Sequence, residues 1–165
     1  IRREELDVGF FLAPPGEGPG PEAPEIAHRE LTHFHYHVVA PPGWGSRVAG
    51  ADWASLAALP WIVTPALSAH HRLLHGVLDP LGVTPKGVAQ VDQEACMLDL
   101  VRAGVGLSLA RDALAMAERQ ERGLVVVDEV RLPCALCFVW RRERSEEPAI
   151  AAALEVLENV WGSQH

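Results

Sequence analysis

The chain has 165 residues, of which 48% are hydrophobic and 22% are charged, and its formal net charge at pH 7 is -8. This balance predicts a folded domain with a substantial core and excludes a charge-rich disordered segment. The negative charge argues against a surface that holds a nucleic-acid backbone, which needs clustered Lys and Arg. The three cysteines, Cys96, Cys134 and Cys137, are odd in number and lie in apolar stretches, so we expect free thiols in a reducing cytoplasm.

No membrane segment is predicted. Pro, Gly or charged residues interrupt every apolar run before it approaches the ~20 residues that a membrane-spanning helix needs. No signal peptide is recognised at the start of the sequence. We therefore expect a cytoplasmic protein without membrane contact.

The first forty residues predict two strands separated by a loop. Residues 6–12 form a short apolar run typical of a buried strand, and the Pro- and Gly-rich residues 13–24 predict an exposed loop. Side chains alternate in polarity over residues 30–40, which predicts a strand with His33, His35 and His37 on one face.

From residue 41 onward, helices and strands alternate at short spacing. We predict helices that begin after Asp52, Ser68 and Asp92 as N-cap residues, and further helices over residues 112–120 and 146–161. The predicted strands cover residues 61–64, 87–91, 106–110, 124–127 and 132–140. This alternation indicates an α/β fold with mostly parallel sheets covered by helices on both faces.

Three segments resemble the effector-binding domain of LysR-type bacterial transcriptional regulators. They are ELDVGFF at the start, LTHFHYHVVAPPGW followed by DWASLAALPWIVTP, and VDQEACMLDLVRAGVGLSLA. The third is the most specific, because it is similar to the family's helix, its L-V-x-x-G-x-G turn and its next strand. Gly104 and Gly106 also have a physical role there: a helix end in the left-handed region, then close packing of the backbone.

The resemblance implies two Rossmann-like lobes joined by two crossing strands, a periplasmic-binding-protein-like fold with the effector in the cleft between the lobes. Residues 1–40 and 128–165 would form the first lobe, and residues 41–127 the second. The family's winged helix-turn-helix, linker helix and first sensor strand and helix would lie outside this sequence. DNA contact would then occur only through that helix-turn-helix domain. The family pairs its lobes side by side, and the helix over residues 146–161 is apolar on more than one side, so we expect a homodimer or tetramer.

The implied cleft lies at the carboxyl ends of strands, where helix N-termini present free N–H groups to an anion. One such turn carries Thr64, Ser68 and His70, which we take as effector-binding candidates, although Ser68 also fits a plain helix cap and Thr64 a strand end. We expect the effector to be a small polar or anionic metabolite, often aromatic or carboxylated in the family.

Two more positions complete the set of candidates. Gln93 and Glu94 lie at the next strand-to-helix turn and are placed to reach outward, whereas the preceding Asp92 fits a cap better than a ligand contact. Phe11 and Leu12, at the end of a first-lobe strand, either supply an apolar wall or belong to the core.

Metal binding, cofactors and catalysis have little support. His71 and His75 are one helical turn apart, a spacing that can hold a metal, but no HExxH motif is present. The strand histidines His33, His35 and His37 lie ~6.5 Å apart along the chain. Cys134 and Cys137 have CxxC spacing, yet these positions point to opposite faces of a strand. Nucleophile-elbow and Walker sequences are absent. We expect no metal, no cofactor and no enzymatic activity.

Two functional hypotheses remain. The first is the effector-sensing domain of a LysR-type regulator. The alternative is a solute-binding protein of a transporter, which shares the two-lobed architecture. An enzyme on an α/β fold is a weaker third hypothesis because the catalytic motifs are missing.

Overall fold

The computed structural model describes residues 7–162. The strands are β1 (Val8–Ala13), β2 (Ile26–Ala40), β3 (Pro60–Val63), β4 (Lys86–Gln90), β5 (Ser108–Arg111) and β6 (Val125–Arg141). The α-helices are α1 (Gly45–Val48), α2 (Trp53–Ala57), α3 (Ala69–Leu78), α4 (Glu94–Arg102), α5 (Asp112–Arg122) and α6 (Pro148–Gly162). The predicted α/β alternation is therefore confirmed.

The last strand differs from its prediction. Two strands were expected over residues 124–127 and 132–140, but β6 is one strand of 17 residues. The polar residues between the two predicted strands alternate with apolar ones: Glu129 and Arg131 are exposed, whereas Val130 and Leu132 are buried. A period of two residues is typical of a strand with one solvent face, so these charges do not mark a turn.

The prediction of mostly parallel sheets is wrong. β1 pairs antiparallel with β6, and β2 pairs antiparallel with β5, while β3 and β4 are parallel. The prediction counted only strand-helix-strand repeats, which give parallel neighbours. The antiparallel partners, β1 with β6 and β2 with β5, are far apart along the chain and are not consecutive strands of such a repeat, so that rule does not apply to them.

The chain divides into two compact units. Within the described residues, unit 1 consists of residues 7–34 and 133–162, and unit 2 of His35–Leu132. The division falls within β2 and β6, which each contribute residues to both units. The lobe limits at residues 40 and 127 stay a prediction.

Unit 1 buries β6 from both faces. In its sheet the strand order is β1-β6-β2. On one face of β6, Ala135, Cys137 and Val139 pack against residues of the Pro- and Gly-rich segment and the start of β2. On the other face, Phe138 and Trp140 pack against the side of α6 that carries Ile150, Leu154, Leu157 and Trp161. This burial explains why the residues of β6 in unit 1 are apolar on both sides.

Unit 2 has its core between β2, β3, β5 and helices α4 and α5. Apolar side chains of α4 pack against the strands: Met97, Leu98 and Val101 contact a cluster that includes Val39, Ile62 and Ala110. β5 lies parallel beside β3, because the Ile62 amide donates to the Leu107 carbonyl and the Leu107 amide to the Pro60 carbonyl, each at 2.8 Å.

The two glycines of the GxG turn have the predicted roles. Gly104 has φ +87, the left-handed conformation that ends α4. A Cβ at Gly106 would lie 2.6 Å from the Pro60 carbonyl oxygen, so only glycine fits where β5 enters beside β3.

The cysteines are free thiols. Cys134 and Cys137 are buried, and Cys96 is exposed. Burial raises the pKa of Cys137 to about 11, which suits a core residue rather than a reactive thiolate. Within residues 7–162, none of the helices combines the length and apolar character that crossing a membrane requires.

Candidate functional site

The carboxyl ends of three strands meet at one edge of unit 2. The Val91 amide donates to the Val63 carbonyl at 3.0 Å, so the turns that follow β3 and β4 lie side by side. β5 runs parallel on the other side of β3. The strand-end site, as we call it, consists of Thr64, Ser68, His70, Glu94 and Arg111. Such an edge is where open α/β sheets bind ligands.

Thr64 and Ser68 form a hydroxyl pair. The Ser68 hydroxyl donates to Thr64 Oγ1 at 2.5 Å and accepts a hydrogen bond from the His71 amide at 3.1 Å. Ser68 is therefore the N-cap of α3, as predicted. The Ser68 hydroxyl hydrogen is used in this bond, so the Thr64 hydroxyl hydrogen is available to a further acceptor. Thr64 is only 7% exposed, so this hydroxyl is largely shielded from solvent.

His70 is a neutral imidazole in this site. Its ring packs edge-on against Tyr36, with 4.8 Å between the ring centroids. Burial, followed by the positive charge of Arg111, lowers the pKa of His70 to about 4. Its Nδ1 atom is buried and has no hydrogen-bond partner among residues 7–162. His70 can therefore offer a ring nitrogen to a ligand without carrying a charge at neutral pH.

Arg111 supplies the positive charge, and the sequence analysis missed it. It ends β5 and is the N-cap residue of α5. It is the direct partner of Tyr36 in the β2–β5 ladder, so both side chains lie on the same face of the sheet. One signal in the sequence could have identified it: Arg111 directly follows the predicted apolar strand over residues 106–110, in the same way that Thr64 follows the apolar residues Trp61, Ile62 and Val63.

The turn before α4 corrects one prediction. Asp92 was expected to cap this helix, but the N-cap residue is Gln93 and its side chain makes no cap hydrogen bond. A carboxylate one position before the N-cap is too early to reach the N–H groups of the first turn. Gln93 is exposed. Glu94 begins the helix, and its Oε1 atom is buried with no hydrogen-bond partner in the described part of the chain.

A small cavity adjoins the strand-end site. Its walls include Thr64, His70, Met97 and Leu109, and its volume is about 20 Å³. That volume holds about one water molecule. A ligand of metabolite size is therefore too large for this cavity.

Phe11 and Leu12 lie on β1, in unit 1. Their partners in the ladder are Cys137 and Leu136 of β6. Phe11 also packs against the core cluster around Cys137 and Val139. This contact accounts for Phe11 as a core residue, and a role for the pair in an effector site stays a prediction.

Each of the three strand histidines forms a hydrogen bond with an acidic residue. His33 Nε2 lies 2.7 Å from Glu30, the His35 amide donates to Asp112 at 2.9 Å, and His37 Nε2 also bonds Asp112. Burial alone would raise the pKa of Asp112, but the hydrogen bonds from His35 and His37 hold that pKa below its ordinary value. Within the described residues, no group of three or more His, Cys, Asp or Glu side chains is placed to hold a metal ion.

The family follows from a comparison with known domain families. Residues 1–162 match the model of the LysR substrate binding domain. The chain belongs to this family. The LysR-type resemblance and the α/β fold class stated in the sequence analysis are confirmed.

Individual relatives agree with this assignment. The domain is 30% identical over 148 residues to the HTH-type transcriptional regulator IlvR of Caulobacter vibrioides, and the match covers 88% of the chain and 48% of IlvR. It thus spans about half the length of this curated relative. The regulatory domain of Synechocystis PCC6803 CcmR, solved with 2-PG, has a TM-score of 0.75 at 14% identity, over 99% of the chain and 77% of that structure. The effector-binding domain of QuiR, solved with shikimate, has a TM-score of 0.72 at 16% identity, over 99% and 76%.

Proposed function

We propose that this domain is the effector-sensing part of a LysR-type transcriptional regulator. It binds a small polar or anionic metabolite, and binding controls transcription through a helix-turn-helix domain outside this sequence. The net charge of -8 supports the view that the sensor domain itself does not bind DNA. The similarity to the HTH-type regulator IlvR supports a cytoplasmic regulator over a solute-binding protein of a transporter.

The observation that carries the proposal is the meeting of Thr64, His70 and Arg111 at one strand edge. A guanidinium, a neutral imidazole and a spare hydroxyl hydrogen are the groups that a carboxylate or phosphate ligand needs. The N-terminus of α3 adds backbone N–H groups and a partial positive charge at the same turn. Gln93, exposed at the neighbouring turn, would add a side-chain hydrogen bond.

A thermal-shift screen of metabolites on the isolated chain tests the proposal. We expect at least one small anionic metabolite to raise the melting temperature in a saturable way, because a ligand that binds only the folded state stabilises it. A broad library with no stabilising member would contradict the sensor function.

We also infer that unit 1 pairs with a second copy in a homodimer or tetramer. One side of α6 packs on the sheet, but Val156 and Val160, one helical turn apart, are 61% and 56% exposed. Replacing both with Glu should shift the chain toward monomer in light scattering at micromolar concentration. Glu155→Gln on the same helix is the control. An unchanged mass for the double variant would exclude this face as the interface.

A further inference from the structure

Glu94 is not explained by an anion-binding role of the strand-end site. Its carboxylate lies at the first residue of α4, where it opposes the approach of an anion to the free N–H groups of that helix. Favourable interaction with the helix dipole accounts for a negative charge at this position. It does not account for the burial of one carboxylate oxygen without a hydrogen-bond donor.

The residue that carries the unpartnered oxygen lies at the strand edge of the proposed effector site. Glu94 is one helical turn before Met97 on α4, and Met97 lines the small cavity together with Thr64 and His70. The turns after β3 and β4 are neighbours through the hydrogen bond between Val91 and Val63. Glu94 therefore lies at the same edge as the hydroxyl pair, after the adjacent strand end.

We propose that the effector carries a hydrogen-bond donor, a hydroxyl or an ammonium group, which donates to Glu94 while its anionic group is held by Arg111 and Thr64. The inference rests on the proposed sensor function and narrows the chemical class of the effector. A buried carboxylate oxygen without a donor is costly, and a ligand donor removes that cost on binding. A plain carboxylic acid leaves the cost in place.

Three neighbouring strand ends carry, in this order, the acceptor Glu94, the hydroxyl pair of Thr64 and Ser68, and the cation Arg111. β4 leads to Glu94, β3 leads to Thr64, and β5 ends at Arg111. Adjacent strands are about 4.8 Å apart, so the outer two ends are separated by roughly 10 Å. Side chains that reach inward from both ends leave a span that suits a small hydroxy acid or amino acid.

Matched ligand sets test the inference on the whole chain. L-alanine, L-lactate and propionate differ only in an ammonium, a hydroxyl or no donor beside the carboxylate, and L-phenylalanine, phenyllactate and phenylpropionate form a larger set. Each is titrated by calorimetry up to about 10 mM, because a small two-point ligand is expected to bind with millimolar affinity. We expect a donor-bearing member to bind about tenfold more tightly than its donor-free counterpart.

Variants separate the role of Glu94 from general anion binding. In Glu94→Ala, which removes both carboxylate oxygens, the preference for the donor-bearing ligand should fall below about threefold, and Glu121→Ala, an exposed change on α5, should keep it. A selective loss of L-alanine or L-phenylalanine binding would identify ammonium as the donor. A selective loss of the hydroxy acids would identify hydroxyl.

Three results would overturn the inference. They are equal affinity within each set, an unchanged preference in Glu94→Ala, which would mean that the ligand donor does not bond Glu94, and no binding of any member. The sensor function is judged separately, by the metabolite screen and the Arg111 variant. An anionic effector without a donor that depends on Arg111 would leave that function intact and exclude only the role of Glu94.

Discussion

The two ends of α4 differ in whether the buried carboxylate at each end has hydrogen-bond partners. At the C-terminal end, Arg102 bonds Glu118 through two nitrogens and Asp99 through a third, and Glu118 is only 6% exposed. At the N-terminal end, Glu94 has a buried oxygen without a partner among the described residues. A buried charge that is fully paired within the protein serves the fold, whereas an unpaired buried atom indicates a partner from outside. The contrast separates structural charges from candidate binding groups in one helix.

The largest expected effect is at the paired end. Glu118→Ala should lower the free energy of unfolding by about 2–3 kcal/mol, because it removes the buried partner of Arg102; the partial exposure of Arg102 keeps the loss below that of a fully buried pair. Urea denaturation measures the change, with Glu121→Ala as the exposed control on α5. A loss in Glu118→Ala no larger than in the control would remove the distinction between the two ends.

His70 predicts a pH dependence of stability. Its pKa is about 4 in the folded chain, against 6.5 for a free histidine, so the folded state disfavours the proton. Stability is therefore fully present above pH 6.5 and is lost as the pH falls toward 4, by an amount on the order of 2–3 kcal/mol. Urea unfolding between these pH values should show a shallower decline for His70→Gln than for the wild type, and His33→Gln should follow the wild type. Parallel curves for His70→Gln and wild type would assign the titration to another group.

Ser68 predicts a smaller effect with two parts. Ser68→Ala should lower stability by about 1 kcal/mol through loss of the α3 cap. It should also weaken effector affinity about three- to tenfold, because the hydroxyl pair with Thr64 is broken. Asp52→Ala removes the cap of α2, outside the site, and should lower the melting temperature without changing affinity. Equal affinities in both variants would limit Ser68 to capping.

Local patterns were predictable from the sequence. Ser68 and Asp52 stand before short amphipathic segments, and both accept a hydrogen bond from the third residue of their helix. Gly104 was recognisable for the same reason, because a helix end in the left-handed region favours glycine. These features depend on neighbours within about four residues along the chain, which the sequence displays directly.

Features that depend on distant pairing were not predictable. Arg111 faces the site because β5 pairs antiparallel with β2, which brings it beside Tyr36 and His70. Nothing within a few residues of Arg111 indicates that pairing. The cap of α4 failed for a different reason: Asp92 is a better cap residue by type than Gln93, but the turn after β4 places the helix start one residue later.

The central claim is that the strand-end site of unit 2 holds the anionic group of the effector. The most direct test is calorimetric titration of a metabolite found in the thermal-shift screen into the wild type, Arg111→Gln and Arg122→Gln, which removes an equal charge from the exposed end of α5. A hydrogen bond to a charged group contributes about 1.5–3 kcal/mol, so Arg111→Gln should weaken binding about tenfold or more while Arg122→Gln matches the wild type. Equal affinity in all three proteins would contradict the account and place the effector elsewhere.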